Sequence, residues 1–435
     1  MKKFWITTLG CKINQYESES IRQRWEQMGF EQAANDVEAH EVVINSCAVT
    51  ASALRDLRQL VRSINRRNPE ADIIITGCAA QVFAGELAEL PGVSEVIPQD
   101  HKADLLKLDK LHDSEDKVED SDGVTIFQPF EIKDYQRARA VVKVQDGCSH
   151  RCTYCIVPIT RGPSVSRKME DILSEIQRLL DAGFREMVIS GINLSHYGRE
   201  FKDRPDFWDL MERIEKEFGS EWGGRARLRI SSLEPGQLKD RALEVFSSSK
   251  LICPQLHLSL QSGDYSVLKR MGRGHYKPQD ALTFVEELTK IWPVFGLGAD
   301  ILTAFPGETE EEFNNTFEFC QKLPLSYAHV FPYSIRPGTV AAKMKEQLSG
   351  PIKKERGAKL RGLVEEKKTE FLNKILGLDS LRVLFQDKNK GICEFYSTCV
   401  LENGFEGAVP RELVKVVPVK ILKDKLLVRI LEPEC

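Results

Sequence analysis

The chain has 435 residues, of which 42% are hydrophobic and 29% charged, the balance of a soluble protein with about two to four domains. No apolar run approaches a membrane span, and a net charge of −4 excludes a general attraction to nucleic acid, so any RNA contact must come from local patches. The start, MKKFWITTLGC, reads as a first strand rather than a signal peptide, and eleven cysteines, an odd number, point to reduced thiols and a cytoplasmic location.

Residues 1–112 alternate strand and helix patterns. Strands are predicted at 4–9, 41–46, 72–76 and 93–97, with helices around 15–28, 51–67 and 80–90. This alternation predicts an N-terminal parallel α/β domain. Asn14 is expected to cap the first helix, with Glu17 three residues on as in a capping box. The acidic run 113–122 opens a linker expected to extend to residue 137.

A second alternation fills 138–350. Strands are predicted at 140–145, 186–190, 227–231, 256–260, 297–302 and 327–333, and helices at 170–183 and 279–292. Six β-α units suggest a partial (β/α)6 barrel rather than a closed eight-stranded one. Thr309 and Glu312 form a second candidate capping box. The fragment GLGADI (296–301) lacks the third glycine of a dinucleotide fingerprint. Residues 351–374 read as a helical connector, with eight basic residues against four acidic ones. Short strands over 375–435 predict a small antiparallel β-barrel.

Cys148, Cys152 and Cys155 form a C-x3-C-x2-C cluster in GCSHRCTYC. Three thiolates on one short loop can hold three corners of an iron–sulfur cube and leave one iron open for a ligand. Zinc is the rival, since thiolates also suit it, but a structural zinc site needs a fourth ligand. His150, between two of the cysteines, would strain the loop to supply it. Cys11, Cys47 and Cys78 each follow an apolar strand. The carboxyl ends of parallel strands share one edge, so these thiols can converge on a second cluster with its own open iron. Singly, each would read as a small buried residue. Cys253, Cys320, Cys393, Cys399 and Cys435 show no such arrangement.

The segments TLGCKINQYES, NSCAVT, TGCAAQ, QDGCSHRCTYCIVPITRG and YSIRPGT together resemble the methylthiotransferase family of radical S-adenosylmethionine (SAM) enzymes, over nearly the whole chain. The GCK-x-N-x-x-ES form is similar to the branch acting on N6-threonylcarbamoyladenosine at tRNA position 37. The isopentenyladenosine branch tends to show GCQMN at this place, and the ribosomal-protein branch GCPKN. The resemblance implies two [4Fe-4S] clusters, one on each cysteine set, with SAM as cofactor and a TRAM-like RNA-binding C-terminal barrel. It implies radical chemistry, because C2 of adenine carries an unactivated C–H bond beyond acid–base replacement. The expected partners are tRNA, an electron donor such as flavodoxin or ferredoxin, and a sulfur source, with no membrane. A more distant reading is a non-catalytic RNA-binding protein holding zinc.

For SAM, the resemblance places Tyr154 near the adenine. Strand ends offer Gly191, Asn193, Glu234 and Gln261, where Gly191 would allow close backbone approach and the polar residues could hydrogen-bond the cofactor or simply cap helices. SGIN stands where many radical SAM enzymes have GGE. For tRNA, Arg55, Arg58, Arg62 and Arg66 lie at helical spacing on one face. The C-terminal segment balances nine basic against nine acidic residues over 375–435, so its charge predicts no RNA binding.

Overall fold

A computed structural model describes residues 2–107, 127–128, 130, 132–133, 135–402 and 411–431. The N-terminal domain runs β1 (Lys3–Thr8), α1 (Lys12–Gln27), β2 (Glu31–Gln32), β3 (Glu41–Ser46), α2 (Ala51–Arg67), β4 (Asp72–Gly77), α3 (Cys78–Ala88) and β5 (Val93–Ile97). Its strands form one parallel sheet in the order β2-β1-β3-β4-β5. The central strands EVVINS and DIIITG are buried almost throughout because both faces are covered. Val42, Ile44, Ile73 and Ile75 pack with α2, whereas Phe4, Val43 and Ile74 join α1 in the core of the next domain.

That domain comprises β6 (Ala140–Asp146), α4 (Val157–Arg161), β7 (Val165–Ser166), α5 (Met169–Asp181), β8 (Glu186–Gly191), α6 (Phe207–Trp222), β9 (Arg227–Ile230) and α7 (Asp240–Ser248). It continues with β10 (Gln255–Gln261), α8 (Tyr265–Arg270), α9 (Pro278–Ile291), β11 (Gly296–Thr303), α10 (Glu310–Lys322) and β12 (Leu325–Pro332). β6-β8-β9 and β10-β11-β12 are parallel, and the bridges Leu228–Ile252 and Leu233–Leu258 join the two groups. The result is the expected partial six-stranded barrel, with short β7 antiparallel at the edge of β6. Gly298 of GLGADI serves packing, since a Cβ there would strike the Tyr327 ring.

α11 (Gly350–Leu376) links this domain to the last. Its Leu360, Leu363 and Val364 enter the central core, and its Phe371, Leu372 and Ile375 enter the terminal one. The terminal strands are β13 (Leu381–Phe385), β14 (Lys390–Cys393), β15 (Thr398–Leu401), β16 (Leu413–Leu422) and β17 (Lys425–Ile430). They close a barrel in the order β13-β14-β15-β17-β16, antiparallel except for the β15–β17 pair. Buried arginines dock it. Arg227 donates to the carbonyls of Arg382 and Ile392 at 2.6 and 2.9 Å, and Arg229 to those of Glu394 and Cys393 at 2.9 and 2.5 Å. Glu186 braces both guanidinium groups.

The Thr309–Glu312 capping box forms as expected. The Asn14–Glu17 box does not. α1 begins earlier, with Cys11 as N-cap, and both residues are fully buried because tertiary partners outbid the local cap. The 113–122 run and Cys435 lie outside the described residues. Phe130, Ile132 and Tyr135, in the segment expected as a linker, are instead core residues.

Candidate functional site

Both cysteine sets sit at the carboxyl ends of parallel strands. Cys148 follows β6 on a loop pinned by backbone bonds: Cys148 N to Gly162 O at 3.1 Å, Thr153 N to Met271 O at 2.9 Å and Cys155 N to Cys152 O at 3.1 Å. Asn193 Nδ2 donates to Cys148 Sγ at 3.6 Å, and Arg273 donates to Cys152 Sγ at 3.9 Å. Burial pushes all three thiols up, Cys155 to about 12. Thiols buried this way carry negative charge only against a cation, and donors from an amide and a guanidinium suit metal-bound sulfur. The residues therefore fit an iron–sulfur group. His150 packs on His196 and His275, with ring centroids at 4.5 and 4.9 Å, in a histidine cluster of its own.

Cys11, Cys47 and Cys78 follow the neighbouring strands β1, β3 and β4. The structure brings them together closely enough that Cys47 feels the charge of both Cys11 and Cys78, and Cys11 that of Cys78. Burial raises the Cys47 thiol to about 11. Gly10 backs onto the Cys47 side chain. Gly77 holds a left-handed φ of 95°, and a Cβ there would strike the Ser46 carbonyl, so glycine is needed to place Cys78.

A buried charge network lies under this edge. Glu17 accepts from Lys102 at 2.6 Å, Lys143 at 2.9 Å and Arg161 at 3.0 Å. Asp146 takes Lys143 at 2.6 Å and Arg161 at 2.8 Å. Asn14 donates to Ser46 O at 2.9 Å and accepts from Arg161 at 2.5 Å. Three cations thus face two carboxylates, and Arg161 extends its charge to Cys11 and Cys78. The surplus positive charge complements a group held by three thiolates. Arg161 also ends α4, the helix just after Cys155, so one element touches both sets.

The remaining predicted residues divide. Tyr154 is half-buried against Phe305, at 6.5 Å between rings. Asn193 both touches Cys148 and caps the turn at Ser195, accepting from its backbone at 3.1 Å. The Glu234 carboxylate is held by Arg273 at 3.0 and 2.6 Å, so it orients the guanidinium beside Cys152. Gly191 makes room for Gln145 and Leu194. Gln261 ends β10 at a left-handed φ of 64°, a conformation that costs about 1–3 kcal/mol and clusters at functional sites. On α2, Arg55, Arg62 and Arg66 are exposed, but Arg58 is paired with Glu86, which removes it from the free stripe.

Sequence reading missed the buried network and a rim of exposed apolar side chains. Val49, Ile159, Ile335 and Val340 are all about half exposed or more. Arg336 ties the rim together, donating to Val49 O at 2.7 Å, and Gly338 abuts Ile159. The YSIRPGT motif was visible, but nothing in it named Val49 as its partner. It also missed the ring-bearing inner face of β10–β12, which the alternation in LHLSL and YAHVFPY encodes.

A cysteine triplet at a strand end of a partial parallel barrel, beside a second at the strand ends of the N-terminal sheet, is the arrangement of a radical SAM enzyme. Residues 142–320 match the Radical SAM superfamily, and residues 3–98 match the uncharacterized protein family UPF0004. The chain is 34% identical, over 98% of its length and 96% of the relative's, to threonylcarbamoyladenosine tRNA methylthiotransferase MtaB of Bacillus subtilis. It is 36% identical to the enzyme of that name from Aquifex aeolicus, over 89% and 94% of the two chains. A tRNA-2-methylthio-N(6)-dimethylallyladenosine synthase of Carboxydothermus hydrogenoformans is 35% identical over 82% and 81%. Among solved structures, the radical SAM methyltransferase TsrM of Kitasatospora setae shares the fold, with a TM-score of 0.57 at 13% identity over 79% and 75%. The chain belongs to the radical SAM tRNA methylthiotransferase family. Membership implies a [4Fe-4S] cluster, SAM and a tRNA substrate. Among the described residues no helix is long and apolar enough to cross a membrane.

Proposed function

We propose that this enzyme places a methylthio group on C2 of N6-threonylcarbamoyladenosine at position 37 of tRNA. The observation that carries the reading is the placement of two cysteine triplets about α4, with Cys155 just before the helix and Cys11 and Cys78 near Arg161 at its end. Cys148, Cys152 and Cys155 would hold one [4Fe-4S] cluster, and Cys11, Cys47 and Cys78 a second. When bound, these groups and SAM supply the electron, the radical and the sulfur. The chain's own part is placement. Asn193 and Arg273 orient the Cys148 and Cys152 sulfurs, and Glu234 fixes Arg273. Tyr154, Gly191 and Gln261 would border the SAM beside them. The exposed apolar rim of Val49, Ile159 and Val340 would keep water from the gap between the triplets once substrate covers it. Arg55, Arg62 and Arg66 offer phosphate contacts. An external electron donor such as a flavodoxin or ferredoxin, a sulfur source and a cytoplasmic location complete the reading.

The threonylcarbamoyl assignment follows the names of the relatives at 34–36% identity, and the dimethylallyl relative at 35% makes the second reading worth an arm of the test. Protein reconstituted anaerobically is given SAM, reductant and an anticodon stem-loop carrying either adenosine derivative. The nucleosides are then read by mass spectrometry. Methylthio product on the threonylcarbamoyl stem-loop is expected. Product only on the dimethylallyl one would reassign the substrate.

A further inference from the structure

The segment 333–341, which contains YSIRPGT, runs from the end of β12 past both cysteine sets. Its two ends are buried: Tyr333 and Ala341 belong to one apolar cluster with Met271, Leu302 and Phe305. Between them Ile335 and Val340 are 53% and 61% exposed, so hydrogen bonds rather than burial hold the middle. The sequence supplies its shape. Arg336-Pro337-Gly338-Thr339 makes a tight turn with Gly338 at a left-handed φ of 78°, the place that a type II turn keeps for glycine after proline. The Arg336 carbonyl accepts from the Thr339 amide at 3.3 Å and from its hydroxyl at 2.8 Å.

This strap bonds to each cysteine loop at one point. The buried Arg336 side chain donates from Nε to Val49 O at 2.7 Å. Its Nη1 is fixed on its own loop by Ser334 Oγ and Ile335 O, each at 2.9 Å. Val49 in turn donates its N–H to Cys47 Sγ at 3.5 Å, a donor that suits a metal-bound thiolate. Further along the strap, Ala341 N donates to Thr153 O at 2.8 Å. Thr153 lies between Cys152 and Cys155 and is itself held by Met271 O and Arg270 O, both at 2.9 Å. Joining the domains does not require these bonds, because the buried Glu17 network already spans the boundary. What the strap adds is local. One rigid segment is bonded to the residue two after Cys47 and to the residue one after Cys152.

We propose that the 333–341 strap fixes the separation of the two cysteine triplets, with Arg336 as its positioning residue, so that radical formation at one set is matched to sulfur delivery from the other. The inference rests on the two-cluster reading above and holds for either adenosine substrate. Arg336 makes no hydrogen bond to a cysteine among the described residues; it acts through Val49 on the Cys47 loop. Residues 47–50 lie between β3 and α2, outside both elements, so no ladder of regular hydrogen bonds stands in for the bond from Arg336. A misplacement of about 1 Å, caused far from the reacting atoms, can cost about a hundredfold in rate.

The test uses the reconstituted holoprotein with SAM, reductant and whichever stem-loop the wild-type protein modifies. Two quantities are read: SAM cleaved reductively per methylthio group transferred, and the spin–spin broadening between the two reduced clusters in the EPR spectrum. Arg336→Met is expected to keep its melting curve, its iron and sulfide, and its SAM cleavage without tRNA. Its ratio of SAM cleaved to product should rise about tenfold or more, and its spin–spin pattern should blur. Arg336→Lys, which can still reach Val49 O, should recover part of both. Ser334→Ala, which frees the guanidinium from its own loop, should move both in the Arg336→Met direction by less. In the apo protein, hydrogen exchange over 47–53 should quicken in Arg336→Met while the segments around Glu17 keep their protection. A folded, loaded Arg336→Met with the wild-type ratio and spectrum overturns the proposal, as does one that loses SAM cleavage and methylthio transfer in equal measure. If Arg336→Met fails to load, the same criteria apply to Arg336→Lys and Ser334→Ala. Wild-type protein that loads one cluster's iron rather than two would overturn the two-cluster reading first, before any variant is made, and this role for the strap with it.

Discussion

Cys148, Cys152 and Cys155 share one loop between β6 and α4, whereas Cys11, Cys47 and Cys78 come from three separate strand ends. The first triplet is local. Its spacing is set within one loop, and Met271, Asn193 and Arg273 from later in the chain only pin that loop and its sulfurs. The second depends on the sheet. Its thiols meet only because β1, β3 and β4 are neighbours in fixed register, and a one-residue slip would turn strand residues to the other face. One triplet is written into a motif and the other into a topology.

The largest effect should come from Glu17, which lies between the two regions. Glu17→Gln leaves Lys143 and Arg161 with Asp146 and Lys102 with the Asn45 amide oxygen, and breaking a buried ion pair in this way costs about 3–5 kcal/mol. Urea unfolding of the apo protein should show it, together with poor loading of both triplets. The same network confers acid sensitivity. Burial alone would raise the Glu17 carboxyl, but Arg161, Lys102 and Lys143 outweigh it and hold it well below the ordinary value. Its stabilising contribution is thus complete above the ordinary carboxyl pKa and is lost as pH falls through the lower folded-state value. A wild-type apo protein equally stable relative to Glu17→Gln at pH 7 and at pH 3 would contradict this.

Gly77→Ala should have a smaller effect, confined to one side. Forcing a side chain into the left-handed turn costs about 1–3 kcal/mol and pushes against the Ser46 carbonyl. The expected variant folds and still cleaves SAM reductively, but it binds less iron and transfers little methylthio. Equal loss of SAM cleavage would mean the two regions are not separable. The smallest effect belongs to the surface. Arg62→Glu with Arg66→Glu should lower tRNA affinity and flatten its dependence on salt, leaving SAM cleavage without tRNA unchanged. An unaltered salt slope would remove α2 from the tRNA contact.

The difference between the regions also explains what could be read from the sequence. The strands and helices were legible because the domains are parallel α/β, where buried strands are continuous apolar runs and helices follow at regular intervals. The local triplet was legible from spacing alone. The dispersed one was legible only through the argument that parallel strand ends share an edge. What escaped was tertiary. Asn14 and Glu17 look like a capping box in one dimension, but Ser46, Lys102, Lys143 and Arg161 claim them in three. Phe130, Ile132 and Tyr135 read as linker because their partners lie across the domain boundary. Glu234 read as a SAM contact or a helix cap because Arg273, its partner, comes from beyond the next strand.

The most direct test of two separate cysteine sites is the Cys47→Ala variant, reconstituted beside the wild-type protein and assayed for iron, sulfide and methylthio product. Half the wild-type iron, with SAM still cleaved and no methylthio transferred, is the predicted result. Full iron content with normal methylthio transfer would contradict the second site.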